Sequence, residues 1–155
     1  MYRMRNNSIM AIYRDTTLLH PKFRRICEGL AQDLIRRYEA GETKTRFEIF
    51  ETFRSPERQM DLLRKGATKA SMFQSAHNFG LACDFVAVID HQTAHDLGDK
   101  TGEKVLAGWS WHADNDWRFL RIRADAFGLR IPIDWDLGHV ESPYWQQVKS
   151  YLLLS

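Results

Sequence analysis

The sequence predicts an α+β fold, a small antiparallel sheet flanked by helices, on three observations. Residues 21–40 space their apolar side chains three and four apart, the period of an amphipathic helix. Residues 46–53 alternate and residues 81–89 run apolar, two signatures of strands. Helical and strand segments are interspersed without a regular βαβ rhythm, which disfavours a parallel sheet.

In PKFRRICEGLAQDLIRRYEA the stripe is Phe23, Ile26, Leu30, Leu34 and Tyr38. Pro21 suits the first helical turn and Gly41 follows the last. Between Arg46 and Phe53, alternation sets Phe47, Ile49 and Glu51 on one face and Glu48, Phe50 and Thr52 on the other. Ser55 and Pro56 then supply an N-cap and a first-turn proline for the helix ERQMDLLRK, which Gly66 stops. Residues 67–78 read as loop. From Leu81 to Ile89 the chain reads LACDFVAVI, a strand apolar on both faces except at Asp84. His91 to Trp111 has mixed composition and three glycines, and is expected to be mostly loop. A third helix is expected from about Asn115 to Phe127, with Trp117, Leu120, Ala124 and Phe127 on one face and Gly128 closing it. A last strand is expected over about 129–136. A short terminal helix with Trp145, Val148 and Leu152 then packs back.

No repeat or Pro/Gly/Ser linker divides the chain, so residues 1–155 are expected to form one domain. No apolar run approaches the roughly 20 residues that cross a bilayer. The N-terminal MYRMRNNSIMAIYRDTTLLH lacks the continuous apolar core of a secretory signal, so a cytoplasmic location is expected. Cys27 and Cys83 are too few for a disulfide framework or a thiolate zinc knuckle and read as buried small hydrophobes. The net charge of +2 is mildly basic, too weak to imply nucleic acid.

SAHNFGLACDF, residues 75–85, sets a histidine beside a glycine turn and an aspartate within an apolar strand. A buried carboxylate needs a partner. His77 and Asp84 make half of a possible metal site, and WDLGHVE supplies the rest, with Asp136 and His139 three apart. Two imidazoles and one carboxylate form a three-ligand zinc set with an open fourth position, and their charge count leaves the centre a formal +1. Asp136 would then take a proton from an attacking water and pass it to a leaving amine. Read blandly, Asp136 and Gly138 are ordinary turn residues. HQTAH pairs His91 with His95 at helical spacing but lacks the glutamate of a metalloprotease helix. The tryptophans of GWSWHADNDW suit a glycan or peptide cleft, or the core.

SAHNFGLACDF closely resembles the first zinc motif, S-x-H-x-x-G-x-A-x-D, of the D-alanyl-D-alanine and L-alanyl-D-glutamate peptidases. DLGHVE resembles the second motif, acid-x-x-H, with aspartate as the acid. TFRSPERQMDLLRKG resembles the upstream segment, where a strand delivers an arginine just before a helix. The three blocks stand in order from Glu51 to Glu141, more than half the chain. The resemblance implies the zinc peptidase fold shared with the signalling domain of hedgehog proteins. It makes His77, Asp84 and His139 the zinc ligands, Asp136 the general base and Arg54 the cation at the scissile carbonyl. Ser75 would lie near the substrate or hold the ligands in place. Glu141 either orients a histidine or is solvated. Asp134 competes with Asp136 for the base, but only Asp136 has the three-residue offset. GLRIPIDW stands where a Trp-Gly-Gly-like stretch is common.

The expected function is a zinc peptidase that cuts the stem peptide of bacterial peptidoglycan. A monomeric phage endolysin-type L-alanyl-D-glutamate endopeptidase, waiting in the host cytoplasm until the membrane is breached, is the first expectation. A D-alanyl-D-alanine carboxypeptidase would use the same residues. A non-catalytic zinc-containing wall-binding protein is the alternative of another class. No nucleic acid partner and no integral membrane segment are expected.

Overall fold

The computed structural model describes residues 12–66, 68, 74–90, 108–132 and 136–154, the last three without their side chains. His91, His95, Asp134 and the side chain of Leu152 lie outside the described residues.

Helix α1 (Pro21–Glu39) begins with its proline in the first turn, as the sequence predicts. Its buried stripe is Phe23, Cys27, Leu30 and Leu34. Ile26 and Tyr38, expected in that stripe, are each 37% exposed, because Cys27 turns toward the sheet in place of Ile26. Strand β1 (Phe47–Glu51) leads to helix α2 (Pro56–Arg64), whose N-cap Ser55 accepts from the Arg58 amide. A 3₁₀ turn (Ala76–Phe79) precedes strand β2 (Ala82–Val88). Strand β3 (Trp109–Ser110), helix α3 (Trp117–Ala126), strand β4 (His139–Glu141) and helix α4 (Trp145–Leu154) complete the order.

All the pairings are antiparallel. Strand β1 lines one edge of β2, while β4 and β3 follow each other along the other edge. The pairing of β2 with β4 joins residues 55 apart in sequence, Asp84 and His139. Alternation along β2 turns Cys83, Phe85 and Ala87 toward one face, where they share a core with α1, α3, Phe47 and Val140. Both cysteines are fully buried there as free thiols. Each large apolar side chain taken from water into this core contributes about 2 kcal/mol. An ion pair ties α1 to α3: Asp33 accepts from Arg37 at 3.0 Å and from Arg123 at 2.7 Å.

The expected strand over 129–136 is not formed in its described part. Only Arg130 is bridged, to Glu141. The edge of β2 that such a strand would need is taken by β4. Strand β3 falls within the stretch expected to be mostly loop, and two residues are too short to show a period.

Candidate metal centre

Asp84 faces away from the main core, on the side of β2 that also carries Val86 and Val88. The register sets it directly opposite Glu51 on β1 and opposite His139 on β4. Cross-strand partners share a face, so one row across the sheet reads Glu51, Asp84, His139. Reaching this row takes a bulge between Ile49 and Glu51, where β1 gains one residue against β2. Without the extra residue Phe50 would stand beside Asp84. Simple alternation grouped Glu51 with Phe47 and Ile49, and the bulge is what removes it from their face.

His77 arrives from the 3₁₀ turn. Ser75 caps that turn, accepting the His77 amide at 3.3 Å, and Asn78 closes a capping box. Gly80 ends it at φ 68°, where a Cβ would lie 2.9 Å from the His20 amide nitrogen. Three bonds stitch the turn to the end of β1. The Arg54 amide donates to the His77 carbonyl at 3.1 Å, the Asn78 side chain donates to the Arg54 carbonyl at 2.8 Å, and His77 Nδ1 lies 2.9 Å from the Thr52 carbonyl.

That last contact fixes the ring chemistry. A carbonyl only accepts, so His77 Nδ1 carries the proton and Nε2 presents a lone pair. His139 is set the opposite way round. Its Nε2 donates to Glu141 Oε1 at 2.8 Å, leaving the lone pair on Nδ1. Glu141 is held in turn by Arg130, at 2.9 Å. Of the two readings of Glu141, the geometry is that of a carboxylate orienting a histidine.

Both lone pairs point at the same place. His77 Nε2 is 3.0 Å from Asp84 Oδ1 and 3.2 Å from His139 Nδ1, and His139 Nδ1 is 3.3 Å from Asp84 Oδ1. Three acceptors at such spacings are relieved by a proton or a metal ion among them. A tetrahedral ion with bonds of about 2 Å sets its ligand atoms about 3.3 Å apart, so the donor set fits. His77, Asp84 and His139 could therefore hold a metal ion.

The electrostatics agree with that arrangement. Burial opposes charge on His139, but hydrogen bonds to Asp84 and Glu141 and the charges of Asp84 and Asp136 outweigh it and raise its pKa to about 9. Burial lowers the His77 pKa, with help from the Arg54 charge. For Asp84, burial opposes ionisation but His77, His139 and Arg54 hold its carboxyl well below the usual range. Burial and the neighbouring Asp84 charge push Asp136 up to about 6, while His139 and Arg54 resist. Asp136 thus titrates within the field of the triad, and its carbonyl accepts the His139 amide at 3.2 Å.

Arg54 is tied into the site. Its Nε and Nη2 donate to Glu51, at 3.0 and 2.7 Å, Nη1 donates to Gln59 at 3.0 Å, and Nη2 reaches Asp84 Oδ2 at 3.2 Å. Asp84 is divided accordingly: Oδ2 faces Arg54 and Oδ1 faces the histidines. Among the described residues, four of the five N–H groups of Arg54 are engaged, leaving one on Nη1. Gly138 is also required. A Cβ there would stand 2.2 Å from the Phe85 carbonyl oxygen, where β2 closes on the turn before His139.

Sequence reasoning missed Glu51, Arg58, Gln59, Asn78 and Arg130 as parts of this centre. The available signal was a carboxylate ending a strand with arginines three and seven residues later.

The fold and site define an α+β domain with a small antiparallel sheet and a possible His-Asp-His metal centre on one face. No family model matches the chain, and no curated protein does. Among solved structures, the L-Ala D-Glu endopeptidase ChiX of Serratia marcescens is similar to it, with a TM-score of 0.51 at 20% identity. The likeness covers 85% of this chain and 86% of that one, and it is a likeness of fold.

Proposed function

We propose that the protein is a zinc-dependent peptidoglycan peptidase of the hedgehog and D,D-peptidase fold, cleaving the stem peptide between L-alanine and D-glutamate. The observation that carries this reading is the convergence of three acceptor atoms from His77, Asp84 and His139, with both ring tautomers set by outer partners. Likeness of fold to ChiX, described as an L-Ala D-Glu endopeptidase, supports the choice of bond.

When bound, zinc supplies Lewis acidity for the attack of water on an amide carbonyl. The chain supplies the rest. Thr52 and Glu141 hold the imidazoles in their ligating orientation, as outer partners of metal ligands do. Asp136 takes the proton of the attacking water and returns it to the leaving nitrogen, as a carboxylate held within the field of the triad can. Arg54 steadies Asp84 and keeps one Nη1 hydrogen for the oxygen that gains charge. Ser75 acts through the turn that carries His77, as its cap.

The biological setting we assign is a monomeric phage endolysin-type enzyme held in the host cytoplasm until it reaches the wall. No helix among the described residues is long and apolar enough to cross a membrane. The test is mass spectrometry of products released from purified peptidoglycan, with and without a chelator. A chelator-sensitive product with a new D-glutamate amino terminus is expected. Free D-alanine instead would make the protein a carboxypeptidase. Zinc-loaded protein that binds peptidoglycan and releases nothing would make it a wall-binding protein.

A further inference from the structure

One charged side chain of the centre has no role in the chemistry above. Arg58 lies in the first turn of α2, with its side chain 8% exposed. Its Nε donates to Glu51 Oε2, and its Nη1 and Nη2 atoms meet no acceptor among the described residues. Glu51 is a single buried carboxylate with Arg54 on one oxygen and Arg58 on the other. One positive charge is therefore surplus. Asp84 does not cancel it once Oδ1 serves a divalent ion, because the two charges of that ion already match those of Asp84 and Asp136. A largely buried guanidinium that shares its one carboxylate with a second arginine and keeps an open donor edge is suited to a further anion. The planar edge of an arginine fits a carboxylate with two parallel bonds.

We propose that Arg58 is the residue that recognises a carboxylate of the substrate, so that the site selects acidic stem peptides. This rests on the peptidase reading, which supplies the ligand: a glutamate joined into a peptide through its amine and one carboxyl keeps its other carboxyl as a free anion. Glu51 aims the guanidinium by holding its Nε, and the Nη edge takes the substrate carboxylate. Masking that carboxylate as an amide removes the charge and turns one acceptor oxygen into a donor facing a donor.

The test compares two synthetic stem peptides, one with the D-glutamate α-carboxylate free and one with it as the carboxamide. The expected result with wild-type, zinc-loaded protein is a KM about tenfold or more lower for the carboxylate form, with kcat within a few-fold. Arg58→Gln brings the carboxylate peptide to the carboxamide level. Arg58→Lys, which keeps the charge and loses the fork, falls between. Alongside, the D-γ-glutamyl-L-lysine product and its carboxamide are titrated calorimetrically into the zinc-loaded wild type. Equal KM values for the two peptides with wild-type protein would overturn the proposal, and this comparison needs no variant to fold. If neither peptide is cut, the peptidase reading fails, and the titration still decides on Arg58. Binding that requires the carboxylate and disappears in Arg58→Gln supports it, and binding indifferent to the carboxylate, or absent for both products, overturns it.

Discussion

Replacing Glu141 with Gln probes the centre without touching an atom that faces the metal position. Glu141 Oε1 accepts from His139 Nε2 at 2.8 Å, and the residue is 5% exposed. An amide oxygen in its place still accepts the ring N–H, so the tautomer survives. What is lost is the negative charge that makes the opposite nitrogen, Nδ1, a better donor to a cation. Outer-partner losses of this kind weaken metal binding by about 10–100-fold, or about 1.4–2.7 kcal/mol. Gln belongs at the lower end of that range and Ala, which leaves Nε2 without a partner, at the upper. The freed Arg130 adds little, because its side chain is 47% exposed and an exposed pair contributes about 1 kcal/mol or less. The assay is competition for zinc against a chromophoric chelator, starting from metal-free protein, with circular dichroism to verify the fold. A folded Glu141→Gln protein with zinc affinity within twofold of wild type would refute the reasoning that orients His139 through Glu141.

Asp136→Asn should retain zinc in the same titration and lose at least about 100-fold in kcat against a stem peptide, the usual scale of a lost general base. His139→Ala should lose both metal and turnover. In the metal-free protein the His139 pKa stands above its ordinary 6.5, at about 9, so the stability it contributes is complete below about 6.5 and is lost as pH rises through 9. Melting temperatures of the metal-free form should fall across that interval, and saturating zinc should abolish the fall by displacing the proton. Gly138→Ala should cost about 1–3 kcal/mol in denaturant unfolding and weaken zinc binding as well, since its Cβ forces β2 away from the turn before His139. Wild-type stability in that variant would show that the turn relaxes freely.

The parts of this centre legible in the sequence are those that sequence neighbours build. His77 and Asp84 are seven residues apart, joined by a capped turn and a glycine, and the histidine, the turn and the strand each leave a local mark. His139 and Asp136 are marked by their spacing alone, and it took the resemblance to favour a site over a turn. Glu51 could not be placed from period-two alternation, because a bulge one residue earlier reverses the faces. The stretch 129–136 looked like a strand for the same local reasons as 81–89. The difference lies in which segment claims the second edge of β2, a competition between distant segments that no window of residues records. Cys27 in place of Ile26 is a step of four residues after Phe23 where three was expected, while Phe23, Leu30 and Leu34 keep their places in the stripe.

The chain has no disulfide among its two cysteines, which remain free thiols. A cation held between Asp84 and His139 would nevertheless tie together points 55 residues apart. If that tie persists while the rest of the chain unravels, it removes about 4 kcal/mol of disorder from the unfolded ensemble, by the same loop-closure arithmetic that governs a covalent cross-link. Unlike a covalent cross-link, it forms without an oxidant and comes apart on chelation. The availability of the ion would then govern how long the protein survives as well as whether it works.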